Sequence, residues 1–261
     1  MEVTVIGGTG RIGSRVVNRL RDHGHKVVAA STGTGVDTIT GEGLNHALAD
    51  ADVVVDVINS PSTEEGPATW FFSTSTAHLL AAEKAAGVTH HVGLSVLGAD
   101  RLTSGYFRAK LAQEARVKES GIPYTILRTT TFFEYIEAIA DDATDGPVVR
   151  LAHVPMQPVA ADDVAAAIAH LAFGPPVNGT LEMSGPEPFS LDELARRVLQ
   201  AGQDKREVVA DAHAPYLGAV LDYGDRALLP DLRVGSTRFE DWLKKKNPAL
   251  TGAGQERSTT T

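Results

Sequence analysis

A glycine-rich loop inside the first 13 residues constrains this chain more than any other feature. Val3-Thr4-Val5-Ile6 is a short β-branched run that ends in Gly7-Gly8-Thr9-Gly10-Arg11-Ile12-Gly13. From Arg11 to His23, Ile12, Val16, Val17 and Leu20 recur at helical spacing. Strand, glycine turn and helix in that order make a place for a diphosphate. Gly7 permits the tight turn, Gly10 lets the backbone approach the ligand closely, and Gly13 lets the helix lie against the strand. Free N–H groups and the positive helix end then face the phosphates. The spacing Gly7-x-x-Gly10-x-x-Gly13 differs from the common G-x-G-x-x-G in its first gap. By itself such a loop is as well read as a plain connection. Its place between a strand and a helix at the start of the chain makes it a dinucleotide-binding loop.

The rest of the first 130 residues keeps the rhythm. Strand-like runs lie at Lys26 to Ala30, Asp52 to Val57, Thr89 to Ser95 and Tyr124 to Arg128. Helical stretches lie at Gly43 to Ala49, Thr69 to Ala86 and Ser104 to Ser120. Asp52 to Val57 is apolar on both faces, as a buried parallel strand should be. This alternation predicts an α/β fold, a doubly wound parallel sheet with helices on both faces. Beyond Arg128 the rhythm loosens. A helix over Phe132 to Asp141, strands at Pro147 to Leu151 and Thr180 to Met183, and helices at Ala161 to Phe173 and Arg238 to Lys246 are expected. Ser190-Leu-Asp-Glu193 reads as a capping box before a helix from Leu191 to Ala201. Residues 203–236 give no clear pattern. The expected organisation is one unit over residues 1–250 and a flexible tail over 251–261. Residues 1–131 and about 159–184 form the dinucleotide-binding core, and about 132–158 and 185–250 a small C-terminal cap that binds substrate.

Composition narrows the function classes. There is no cysteine among the 261 residues, which excludes disulfides, thiolate metal sites and a cysteine nucleophile. With 33 acidic and 24 basic residues the formal charge is -9, which disfavours a nucleic-acid partner. No apolar stretch is long enough to span a bilayer. Strand-like sequence from Glu2 leaves no room for a signal peptide, so a cytoplasmic protein without membrane attachment is expected. No H-E-x-x-H occurs, His90 and His91 point to opposite faces of a strand, and no metal site is expected. No G-x-S-x-G elbow supports a serine hydrolase.

The end of the second strand bears on the cofactor. A carboxylate there would hold a ribose 2′-hydroxyl and repel a 2′-phosphate. The chain has Ser31, Thr32 and Gly33 instead, and Asp37 lies five residues beyond Thr32. Ser31 and Thr32 can donate to a 2′-phosphate and Arg11 can pair with it. NADP(H) is therefore favoured over NAD(H). Tyr106 and Lys110 are four apart and share a helix face, while Ser95 closes the fourth strand. The three are expected to meet above the sheet. Tyr106 would give a proton to the alkoxide formed by hydride delivery, its pKa lowered by Lys110 and the oxidised nicotinamide. Ser95 would hold the substrate carbonyl. Without the glycine loop, the same residues would be read as one packed tyrosine and one solvated lysine.

At this point the chain resembles the short-chain dehydrogenase/reductase superfamily, and within it the atypical, NmrA-like branch. The resemblance rests on Gly7 to Gly13, Asp52-Val-Val-Val-Asp56, His91-Val-Gly-Leu-Ser95, Phe107-Arg-Ala-Lys110, Gly121 to Arg128 and Gln157 to Val164, and it runs over about residues 1 to 200. It implies a Rossmann sheet with strand order near 3-2-1-4-5-6 and an oxidoreductase activity. It places Gly7, Thr9, Gly10, Arg11 and Ile12 at the pyrophosphate, Val57, Ile58 and Asn59 near the adenosine ribose, and Ser95 and Lys110 at the nicotinamide ribose. Thr129, Thr130, Thr131 and Phe132 would pass the carboxamide. Phe132, Phe133, Tyr135, Met156 and Gln157 would wall the substrate. Members of this branch often lack the tyrosine, and some are sensors without turnover. The loop from Ser95 to Tyr106 is shorter than in many superfamily reductases.

Trp70-Phe71-Phe72 is expected in the core or at a subunit contact, with a cofactor lid as alternative. His213, Tyr216 and Tyr223 are candidates for a substrate pocket. The reading is an NADP(H)-dependent oxidoreductase of a small carbonyl or quinone, monomeric or homodimeric. A non-catalytic NAD(P)-sensing regulator is the alternative, and a nucleotide-sugar epimerase or dehydratase a weaker one.

Overall fold

The computed structural model describes residues 1–221 and 235–248. The expected tail and Tyr223 lie outside the described residues. The first half is a strand–helix alternation: β1 (Glu2–Ile6), α1 (Arg11–Asp22), β2 (Lys26–Ala30), α2 (Leu44–Ala47), β3 (Val53–Asp56), α3 (Glu65–Ala86), β4 (His90–Val96), α4 (Gly105–Glu119) and β5 (Tyr124–Thr129). Then follow α5 (Ile136–Asp142), β6 (Thr144–Asp145), β7 (Val148–Leu151), β8 (Pro155–Met156), α6 (Ala161–Phe173), β9 (Gly179–Met183), β10 (Phe189–Ser190), α7 (Leu191–Ala201), β11 (Glu207–Ala210) and α8 (Phe239–Lys246).

Six parallel strands form the central sheet in the order β2-β1-β3-β4-β5-β9. This corrects the expected order: the third strand, β3, lies beside β1, and among the described residues no strand lies outside β2. From Ala30 the chain passes through one 3₁₀ turn and the four-residue α2 before β3 pairs with the free side of β1. That connection is too short for a further strand and crossover. The order therefore reverses at β1, and the carboxyl ends of β1 and β3 stand side by side, where ligands bind open α/β sheets.

Helices α1 and α6 cover one face of the sheet, where Ile12, Val16, Val17 and Leu20 pack with Val164, Ala165 and Ile168. Helices α3 and α4 cover the other and pack along each other. Helix α3 starts a turn earlier than the sequence suggests, because Pro67 falls in its first turn, where the missing N–H costs nothing. The Trp-Phe-Phe run divides three ways: Trp70 is exposed, Phe71 half-buried and Phe72 fully buried. So Trp70 is not a core residue. Two small sheets, β11-β7-β6 and β10-β8, lie with α5, α7 and α8 around Phe133, Val149, Leu194, Val198 and Phe239. The expected capping box is absent, for Ser190 makes no side-chain cap to α7.

Candidate active site

A cleft of about 440 Å³ opens where β1 and β3 end. It is lined by Gly7, Gly10, Arg11, Ile12 and Gly13, by Ser31, Thr32 and residues 36–39, by Val57, Ile58 and Asn59, and by Phe71 and Tyr135. Most residues expected at the dinucleotide thus share one cleft. Gly7 has φ +80°, a backbone that only glycine adopts freely. Helix α1 has no side-chain cap, so the N–H groups of its first turn are left for an anion. Thr9 donates from Oγ1 to Ser31 Oγ at 2.9 Å, tying the loop to the end of β2.

Two expectations change here. Arg11 lies 4.8 Å from the centre of the Tyr135 ring and donates to the Glu134 carbonyl. It is not held at Ser31 or Thr32, where a 2′-phosphate would lie. Asp37, which the sequence left out of reach, lines the cleft. Its Oδ1 accepts the Ile39 N–H at 2.7 Å, and this turn brings residues 37–39 back to the wall.

Ser95, Tyr106 and Lys110 do not meet. Tyr106 is buried and donates its hydroxyl to Asn59 Oδ1 at 2.9 Å, on the cleft side. Burial first, then the nearby Tyr216 and Tyr135, push its pKa up, against a smaller lowering by Asn59. It is a neutral hydrogen-bond donor, the opposite of the acid tuned toward neutrality that the spacing suggests. Ser95 turns to the other side and donates to Glu114 Oε1 at 2.7 Å. Lys110 is also buried; its Nζ donates to Leu94 O at 2.9 Å and to Gln113, 4.6 Å from the centre of the Phe72 ring. Burial lowers its pKa to about 8, against the pull of Asp56 and Glu114. The shared helix face of Tyr106 and Lys110 is real, but it looks toward α3 and the sheet, and only the first turn reaches the cleft.

The expected substrate wall also divides. Phe133 is buried against Phe239 and Trp242, and Met156 is buried opposite Phe189, so both are core residues. Gln157 uses its side chain on Gly185 O and its carbonyl on Thr130 Oγ1. Thr129 and Thr130 are buried in backbone pairing with Leu97 and Met183. Tyr135 does line the cleft, and Phe132 packs on its ring at 5.5 Å. A second cavity, of about 510 Å³, is lined by Thr63, Ile139, Leu151, His213, Tyr216 and Leu217 among others. Tyr216 is buried beside Phe107 and shares a hydrogen bond with Thr131. Tyr216 lines this second cavity, and Tyr106 meets the cleft through Asn59. No signal in the sequence marked Gln113, Glu114 or the Tyr106–Asn59 bond.

Among the described residues no group of three or more His, Asp or Glu is placed to hold a metal. No described helix is long and apolar enough to cross a membrane.

Residues 7–175 match the family described as NAD(P)H-binding. A relative from Streptomyces griseus, (4-alkanoyl-5-oxo-2,5-dihydrofuran-3-yl)methyl phosphate reductase, is 30% identical over 73% of this chain and 70% of its own length. The divinyl chlorophyllide a 8-vinyl-reductase of Cucumis sativus is 28% identical over 76% of this chain, which spans 57% of that protein. In structure, dTDP-4-dehydrorhamnose reductase from Bacillus anthracis in complex with NADP is similar, with TM-score 0.69 over 96% of this chain and 99% of that one at 16% identity. The chain belongs to the family described as NAD(P)H-binding, and its six-stranded parallel sheet is of the Rossmann kind.

Proposed function

We propose that the protein is an NADPH-dependent reductase of quinones or conjugated carbonyl compounds. The observation that carries this reading is the neutral Tyr106 hydroxyl on Asn59 at the cleft, with Ser95 and Lys110 withdrawn behind it. The cofactor supplies the hydride. An isolated ketone then needs a strong proton donor for its alkoxide, whereas hydride addition to a quinone gives a hydroquinone monoanion, weakly basic enough to be held by a hydrogen bond until it takes its proton from water. Tyr106, released from Asn59, supplies that bond to the acceptor oxygen. The acceptor enters from the second cavity past Tyr216, over the smaller unit. Two relatives named as reductases support the activity. Ser31 and Thr32, at the end of β2, can donate to a 2′-phosphate where a carboxylate would repel it, and Asp37, also in the wall, spends its Oδ1 on the Ile39 N–H. NADPH is expected to bind at least about tenfold tighter than NADH, roughly 1.4 kcal/mol; equal affinities in a fluorescence titration would remove that preference.

The direct test follows NADPH oxidation with naphthoquinones, conjugated enones and saturated ketones. Turnover of the first two classes and none of the third is expected; the reverse order overturns the reading. Tyr106→Phe should lower quinone turnover roughly ten- to hundredfold, the worth of one hydrogen bond to a developing charge. The withdrawal of Ser95 and Lys110 also supports a second reading, a non-catalytic NAD(P) sensor, for which NADPH binds and none of the three classes turns over.

A further inference from the structure

Beneath the cleft lies a buried layer of charge that touches neither the acceptor nor the cofactor in the proposed hydride transfer and reaches the cleft wall only through Asp56. Asp56, at the end of β3, is buried, as are Glu83 on α3, His91 on β4, and Lys110, Gln113 and Glu114 on α4. They are joined in a definite order. Glu83 accepts from His91 Nδ1 at 2.9 Å. His91 Nε2 makes no protein hydrogen bond, and His91 and Asp56 both line a void of about 10 Å³ between β4 and α4. Asp56 Oδ2 accepts from Gln113 Nε2 at 3.1 Å. The carbonyl end of the same Gln113 amide accepts from Lys110 Nζ. Asp56 Oδ1 takes the Ile58 N–H at 3.1 Å, in the segment that lines the cleft and ends in Asn59, the partner of Tyr106.

We propose that Asp56 and Gln113 are positioning residues: together they fix the Lys110 ammonium and the 57–59 wall of the cleft. A side-chain amide suits this place, because one end accepts from an ammonium while the other donates to a carboxylate. A buried charge persists only when paired and hydrogen-bonded, and here Gln113 and the Ile58 N–H serve Asp56 while the Gln113 and Leu94 carbonyls serve Lys110. Burial pushes the Asp56 carboxyl up, which His91 and Lys110 oppose. Burial alone would lower His91, and Glu83 and Asp56 reverse it. The charged or titratable groups facing Lys110 are Asp56 from β3 and Glu114 from its own helix; α3 faces it with the Phe72 ring and β4 with the Leu94 carbonyl.

The test is the titration of the Lys110 amine, followed by heteronuclear NMR on the whole protein and assigned with Lys110→Arg. The midpoint should lie near about 8 in the native chain. Asp56→Asn and Gln113→Met should each lower it by roughly one pH unit, and Gln113→Glu should raise it by a similar amount. Shifts of opposite sign from one position cannot come from general damage, and any one variant that fails to fold leaves the others to report. Coincident midpoints in the folded variants overturn the proposal. Its kinetic arm alone rests on the reductase reading: the alkaline limb of kcat/KM for a naphthoquinone should move with the NMR midpoints. Shifted midpoints without native turnover leave this inference standing and remove the reductase. Native turnover with coincident midpoints does the reverse.

Discussion

Glu114→Ala is expected to destabilise the fold by about 3 kcal/mol or more, the cost of leaving a buried charge without its partner. Glu114 is 2% exposed and Arg128 5%. The guanidinium of Arg128 meets the carboxylate in a fork, Nε on Oε1 and Nη2 on Oε2, both at 2.8 Å. Ser95 donates to the same carboxylate and would lose its acceptor too. Asp100 also pairs with Arg128, at 2.6 Å, and half-exposed as it is, it keeps the loss toward the lower end of the range known for such pairs. Burial pushes the Glu114 carboxyl up, but Arg128 and Ser95 together outweigh it and hold its pKa low. Its contribution is therefore complete above the ordinary carboxylate pKa and is lost as pH falls through the lowered folded value. Urea melts of the variant at neutral pH give the number. A loss below about 1 kcal/mol, the worth of an exposed pair, would show that this layer is not the dry interior described above.

Gly13→Ala should abolish dinucleotide binding while touching no ligand through a side chain. A Cβ there would stand 2.1 Å from Gly7 O and 2.8 Å from Gly8 Cα. No rotamer relieves a clash with backbone, so α1 must withdraw from the loop or Gly7 must leave its left-handed turn. Either change destroys the row of N–H groups at the helix start. Overpacking of this kind costs about 1–3 kcal/mol in stability. NADPH affinity should fall by at least about a hundredfold, near 2.7 kcal/mol. Gly24→Ala is the control: it replaces a glycine at φ +81°, with nothing within 4 Å of the new Cβ and outside the cleft lining. It should lose some stability and keep NADPH. Native affinity in Gly13→Ala would mean that the loop is only a connection.

Much of the frame was legible because it follows from local periodicity. The bounds expected for Lys26–Ala30, Ala161–Phe173 and Leu191–Ala201 coincide with β2, α6 and α7. Each is an uninterrupted pattern closed by a breaker or by strand-end chemistry. The sheet order was not legible, because it depends on how much chain separates β2 from β3 and not on either strand. The two-residue strands β6, β8 and β10 carry no period at all. At the site, spacing put Tyr106 and Lys110 on one helix face and could say nothing of where that face looks. The answer depends on partners remote in sequence: Asn59 for the tyrosine, Leu94 O for the lysine and Glu114 for Ser95. The sequence leaves Phe133 and Met156 open between pocket wall and core for the same reason, since an apolar side chain near a loop serves a cavity or a core equally well. The glycine loop was readable because its function lies in its backbone, where sequence dictates geometry most directly.

The proposed function requires that the cleft at the ends of β1 and β3 take up a reduced dinucleotide and deliver its hydride. The measurement that tests it most directly is a fluorescence titration of the purified protein with NADPH, repeated with Gly13→Ala and followed by addition of a naphthoquinone to the saturated complex. Expected are saturable binding in the native chain, its loss in the variant, and rapid loss of NADPH fluorescence when the quinone is added. Absence of binding in the native chain, or equal binding in the two proteins, would contradict it.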